Sequence, residues 1–250
     1  MLERAKEIID IVAKETDEVI LFHSLSGKDS IVLLDLLYPH FKRIVCVYMY
    51  LVPNLEHINV YYRYAMRKYP NIEFVQVPHY GYYSYIKVGY MGIEKNPKQK
   101  LWTLSEIAEK IKDKTGIEWV CCGFKQSDSL NRRLMLRSYK DGKEAISWKS
   151  KKFYPLSTYK NADVFSYIQE EGLKEPETYG ATKGQSCGCA IDSVEYLEFL
   201  KEHYPEDLER VFSVFPQARI VLLDNRYRDE GVKSKRNKGN QEKSDKAESD

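Results

Sequence analysis

The hydrophobic pattern changes its period several times along the chain. Residues 2–14 carry apolar side chains at 2, 5, 8, 9, 12 and 13, the stripe of an amphipathic helix. EVILFH (18–23) is a short apolar run that predicts a buried strand. Residues 30–37 are apolar almost all round, which predicts a helix covered on most sides. RIVCVYMYL (43–51) predicts a second buried strand, and Pro53-Asn54 opens a helix that runs to about Tyr69. IEFVQVP (72–78) predicts a third strand, stopped by Pro78. Residues 103–114 read as a helix with Thr103 as N-cap and Glu106 completing a capping box, and Gly116 ends it. IEWVCCGF (117–124) predicts a fourth strand.

Strands that alternate with helices imply right-handed crossovers and an α/β fold, a mostly parallel sheet with helices on both faces. Ligands on such sheets sit beyond the carboxyl ends of the strands. One rim therefore collects the 24–30 turn, the end of the 43–51 strand and the segment FKQSDSLNRRL after the fourth strand. KKFYPLSTYKNADVFSYIQEEG then predicts a strand, a turn and a helix capped near Asn161. Residues 193–203 and 205–212 predict further short helices. The expected organisation is a nucleotide-binding domain over 1–192, a small helical C-terminal section over 193–225 and a charged tail over 226–250. That tail has almost nothing to bury, so it is expected to be disordered. The aromatic run HYGYYSYIKVGYMG (79–92) suits either a twisted hairpin with exposed Tyr or a stacking surface for a base.

Composition narrows the classes. Apolar residues make up 43% of the 250 positions and the formal net charge is +2, so bulk charge points to neither a nucleic acid nor a membrane. No apolar run approaches the roughly 18 residues of a membrane span. Residues 1–16 are charged throughout and lack a signal-peptide core. A cytoplasmic protein is expected. Its five Cys are odd in number, which argues against a disulfide framework. The oligomeric state is not legible.

The turn Ser24-Leu25-Ser26-Gly27-Lys28-Asp29-Ser30 carries the candidate chemistry. Amides at a helix N-terminus make an anion site, and Gly27 lets the backbone approach a phosphate. Lys28 adds a compact positive charge, and Ser24, Ser26 and Ser30 add hydroxyl donors. A Walker A loop is excluded, because Phe22 stands where its first Gly belongs and Asp29 where its Ser or Thr belongs. A dinucleotide fingerprint is excluded by the absence of G-x-G here.

Gly27-Lys28-Asp29-Ser30 resembles the PP-loop of the adenine nucleotide alpha hydrolases, with Leu25 and Ser26 in place of its usual first Ser and Gly. Within that superfamily the chain is most similar to the phosphoadenosine phosphosulfate (PAPS) reductase family. Val47 through Glu56 stands at the family's second motif and keeps little more than Pro53. Gly123 through Arg133 is similar to its third, and Pro155 through Ile168 to its later P-L-x-x-W-x-x-x-D-V-x-x-Y-I run. The resemblance covers about residues 18–192. It implies a Rossmann-like alpha hydrolase fold and an enzyme that binds ATP or a PAPS-like nucleotide with Mg²⁺. The implied reaction is cleavage at the α-phosphate, which adenylates an acceptor and releases pyrophosphate. The catalytic candidates are Lys28, Asp29, Arg132 and Arg133. The binding candidates are Ser24, Ser26, Gly27, Ser30, Gly123, Lys125 and Tyr50. Asp29 suits either a Mg²⁺ ligand or a dipole-favoured helix start. Tyr48 and Tyr50 share a strand face and are expected to act as a pair.

Sulfonucleotide reduction and a non-catalytic binding module stand as alternatives. The reductases' tail motif Glu-Cys-Gly-Leu-His is absent, and no Cys follows Cys189. Cys187-x-Cys189 alone is short of the four ligands of a zinc site. An iron–sulfur cluster would need these and Cys121-Cys122 at one point and is not expected. The acceptor stays open among sulfate, a nucleobase, DNA and a small metabolite.

Overall fold

The computed structural model describes residues 2–139, 145–181, 183–185 and 187–224. The predicted tail over 226–250 lies outside the described residues.

Helix α1 (Glu3–Ala13) leads into β1 (Glu18–Phe22), α2 (Lys28–Leu37), β2 (Arg43–Tyr50), α3 (Glu56–Lys68) and β3 (Ile72–Pro78). Two helices, α4 (Tyr80–Val88) and α5 (Leu104–Thr115), precede β4 (Val120–Cys121) and α6 (Leu130–Arg137). The chain continues with β5 (Ile146–Ser147), β6 (Lys152–Phe153) and α7 (Asn161–Glu170). It ends with β7 (Thr178–Tyr179), β8 (Gly184–Gln185), α8 (Val194–His203) and α9 (Pro205–Val214).

The main sheet runs β3-β2-β1-β4-β6-β5. Every pair in it is parallel except β5 with β6. Central strand β1 buries Val19, Ile20 and Leu21 completely, as a strand covered on both faces must. Helix α2 is equally apolar because it is covered twice, by the sheet and by α7. Asp35 on its polar edge accepts hydrogen bonds from Tyr69 (2.6 Å) and Tyr167 (2.9 Å). The capping box of α5 forms as the sequence predicts, with Thr103 and Glu106 exchanging bonds.

Two expectations need correction. Strand β4 spans two residues, not eight. It meets β1 only at Ile20–Val120 and Leu21–Cys121, and the chain then leaves the sheet at Gly123. A Cβ on Gly123 would lie 3.1 Å from that of Asp29, so the backbone here is pressed against the first turn of α2. The aromatic run forms α4, not a hairpin. His79 caps it by accepting the Gly81 amide, and the i, i+3 spacing puts Tyr82 and Tyr85 on one face against the Phe215 ring.

The C-terminal helices dock onto α3 through a buried polar network centred on one carboxylate. Asp207 on α9 accepts the amides of Glu56 (2.8 Å) and His57 (3.0 Å), the opening donors of a helix whose own N-cap, Leu55, has no side-chain acceptor.

Candidate functional site

A cavity of about 350 Å³ opens at the carboxyl ends of β1, β2 and β4, where the sheet's topology places ligands. Residues 22–24, 47–49 and 122–124 form its walls, with the first turn of α2 on one side and Gln185, Cys187 and Cys189 on another.

The turn into α2 is held by its own serines. Ser24 and Ser30 hydroxyls lie 3.0 Å apart, and the Ser24 amide donates to Ser30 Oγ at 3.0 Å. A Cβ on Gly27 would fall 2.1 Å from Ser24 Oγ, so this closure requires glycine. Leu25, at φ 57, holds a left-handed conformation uncommon for its residue type. The Ser30 and Ile31 amides donate to the Gly27 carbonyl, while Gly27, Asp29 and Ser30 line the cavity at this helix N-terminus, the kind of position that can hold an anion.

Charges behind this turn form a chain. Lys125 Nζ is fully buried, 2.6 Å from Asp29 Oδ1 and 3.2 Å from Asp128 Oδ1. Lys28 Nζ lies 3.1 Å from Asp29 Oδ2, and Arg132 lies 2.7 Å from Asp128 Oδ2. Burial alone would raise the Asp128 carboxyl, but the amide and ammonium of Lys125 and the Arg132 guanidinium hold it below the ordinary range. The guanidinium also rests 4.2 Å from the Phe124 ring centre, which fixes it at the cavity wall.

Of the expected residues, Ser24, Gly27, Asp29, Ser30, Gly123 and Arg132 line the cavity. Lys28 and Lys125 stand behind Asp29. Ser26 is buried beneath the turn. Arg133 points away and donates to the Gln126 carbonyl at 3.2 Å. Tyr48 is on the cavity wall and Tyr50 is not.

His23, His79, Cys122, Phe124, Gln185, Cys187 and Cys189 also line the cavity. His23 had a positional signal, as the last residue of the strand run before the turn. The thiols separate by environment. Burial pushes Cys122 up to about 12, while a hydrogen bond from Cys189 brings Cys187 down to about 6. Gly188 between them sits at φ 75, and a Cβ there would lie 3.4 Å from the Tyr48 hydroxyl. That glycine lets the loop press onto β2 with both thiols at the cavity. Cys187 is therefore expected to alkylate first among the five Cys, with a rate that rises through about pH 6. Mass spectrometry of iodoacetamide-treated protein over pH 5–8 reads this directly, and equal labelling of Cys122 and Cys187 would contradict it.

A family model, the phosphoadenosine phosphosulfate reductase domain, matches residues 20–195. The chain belongs to this family. Solved structures similar to this family member include the U34-tRNA thiolase NcsA from Methanococcus maripaludis. That structure is 15% identical with a TM-score of 0.46, over 88% of this chain and 78% of its own. A phosphoadenylyl-sulfate reductase from Candida auris, in a phosphate complex, is 17% identical with a TM-score of 0.45 over 68% of this chain and 81% of its own. No curated protein matches in sequence. One expectation is corrected here. From sequence an iron–sulfur cluster is not expected in this PAPS reductase family member, whereas the thiolase structure contains a 4Fe–4S cluster. Among the described residues, no helix is long and apolar enough to cross a membrane.

Proposed function

We propose that the cavity binds ATP or a related adenine nucleotide and that the protein cleaves it at the α-phosphate. The carrying observation is the first turn of α2, closed by Ser24, Gly27 and Ser30 and opening onto the cavity with Arg132 on its wall. Phosphates laid on those amides gain aimed N–H donors, and the Arg132 fork adds a second clamp. A nucleophile on the acceptor attacks the α-phosphorus, and the bond from that phosphorus to the bridging oxygen breaks. The acceptor becomes adenylated and pyrophosphate leaves. Charge grows on the leaving oxygens, where Arg132 and the amides stabilise it.

Asp29 is the carboxylate on the cavity wall. Each of its oxygens already accepts one lysine and keeps capacity for another contact. It fits a Mg²⁺ that takes its remaining ligands from phosphate oxygens and water, and that ion would neutralise phosphate charge. Lys28 and Lys125 orient the carboxylate.

The test offers ATP with sulfate, a nucleobase, DNA and small metabolites in turn and measures pyrophosphate. Lys28→Ala is expected to lower turnover by about 10–100-fold, through the Asp29 carboxylate it orients, while ATP binding is largely kept. ATP that binds without pyrophosphate release from any acceptor would remove the hydrolase reading.

One observation favours a second reading. Cys187, whose thiol is brought down by a hydrogen bond from Cys189, lines the same cavity. In a sulfonucleotide reductase its thiolate would attack the sulfuryl group, breaking the S–O bond to the nucleotide. Cys189 would then attack Cys187 Sγ, releasing sulfite and leaving a disulfide. Sulfite release from PAPS with a thiol donor, lost in Cys187→Ser, would support this route. No sulfite from the parent ends it.

A further inference from the structure

Among the described residues, His23 Nε2 is the buried side-chain nitrogen or oxygen that has no hydrogen-bond partner. The ring is 3% exposed and sits at the end of β1, where its backbone amide still pairs with the Val47 carbonyl at 2.9 Å. Its tautomer follows from its other nitrogen. The Leu25 amide donates to Nδ1 at 2.9 Å, so Nδ1 carries no proton and Nε2 carries one. Phe74 meets the ring edge-on at 5.8 Å and 82°, which holds its plane. The result is a fixed N–H donor with nothing to donate to, a state that costs stability unless something else supplies the acceptor.

The candidate acceptors lie on either side of the ring. One side is a hollow of about 10 Å³ against α2 and α3, with room for one water at most. Its polar atoms are tyrosine hydroxyls engaged elsewhere. Tyr61 donates to the Glu175 carbonyl, Tyr69 donates to Asp35, and Tyr64 accepts the Lys174 amide. The other side is the 350 Å³ cavity.

We propose that His23 Nε2–H is a specificity-determining donor to a neutral ring nitrogen of a purine bound in this cavity. The proposal rests on the adenine-nucleotide reading above. Phosphates belong on the α2 amides and beside Arg132, while His23 stands back on the strand ends between Phe22 and Val47, an apolar wall suited to a base. Burial keeps the imidazole neutral, with its pKa brought down to about 3, so it offers a directed hydrogen bond and no charge. On that apolar wall, away from the α2 amides and Arg132, such a donor is placed for a heteroaromatic nitrogen of the base.

The test uses two variants that divide the ring's functions. His23→Asn keeps an acceptor for the Leu25 amide and loses the reach of Nε2. His23→Gln restores a donor near the Nε2 position. Affinities for ATP and its 1-, 3- and 7-deaza analogues are measured on the parent and both variants, with thermal unfolding as the check on folding. His23→Asn is expected to weaken ATP about five- to tenfold, with His23→Gln recovering most of it. One deaza analogue should show the same loss on the parent and no further loss on His23→Asn. Equal binding of ATP by the parent and His23→Asn overturns the proposal, as does a parent that binds all three analogues as tightly as ATP. Should His23→Asn fail to fold, the deaza series on the parent decides alone. A parent that binds no adenine nucleotide at all brings down the function reading and this contact with it, and the parent's own affinity tells that failure from the others.

Discussion

Asp207→Ala is expected to destabilise the protein by about 3–5 kcal/mol, as the loss of one partner from a buried ionic network does. The side chain is fully buried, and each oxygen takes two donors. Oδ1 accepts the Glu56 amide at 2.8 Å and Arg210 at 2.7 Å. Oδ2 accepts the His57 amide at 3.0 Å and lies 2.7 Å from His57 Nδ1. His57 Nε2 in turn lies 3.1 Å from the Tyr196 hydroxyl, also buried. Alanine would leave the first amides of α3, a guanidinium and an imidazole without their acceptor. For a chain of this size the loss corresponds to a melting temperature lower by on the order of 10 °C. The pH dependence separates charge from shape. Burial works to raise the Asp207 carboxyl, but hydrogen bonds from His57 and from the two amides outweigh it and bring it down to about 2. A carboxyl depressed on folding contributes stability that is full above its ordinary value near 4 and is lost as pH falls through about 2. Urea denaturation between pH 5 and 2 should show that slope in the parent and lose this part of it in Asp207→Asn. An unchanged slope would remove Asp207 as its source.

The framework was legible because its signals are local. Thr103 and Glu106 are three residues apart and cap the helix they predict. The largely apolar runs at 18–22 and 30–37 are what a covered strand and a covered helix require. The errors lie where distant partners decide. β4 ends at Cys121, and the Gly123 backbone just beyond it is pressed against α2, far off in sequence. Tyr82 and Tyr85 fit a hairpin as well as a helix until Phe215 is there to be packed against. At the site, Arg132 and Arg133 look equivalent in sequence, yet neighbours on a helix point about 100° apart, so one reaches the cavity and the other does not. Strand alternation puts Tyr48 and Tyr50 on one face, but Tyr50 lies beyond the reach of the cavity wall. The His57–Asp207 contact spans 150 positions, and no local pattern encodes it.

Lys125 is the residue whose expected role changes most, and its replacement is the second large effect. A cation after the fourth strand suggests a phosphate contact, yet the ammonium is fully buried and engaged by Asp29 and Asp128. It ties the first turn of α2 to the segment that follows β4, and so sets the distance between the anion-binding amides and Arg132. Lys125→Met keeps most of the volume and removes the charge, leaving two part-buried carboxylates facing each other with Lys28 and Arg132 only at their outer edges. A loss of about 3–5 kcal/mol is expected, seen as a lower urea midpoint with an unchanged slope. Adding Asp128→Asn removes one of the facing charges and should restore part of that stability. If Lys125 instead served as a phosphate ligand, Lys125→Met would weaken nucleotide binding with little change in midpoint, and Asp128→Asn would rescue nothing. The two roles therefore predict opposite orders of effect. A positioning lysine moves stability first and affinity second, and the Asp128→Asn background decides between them.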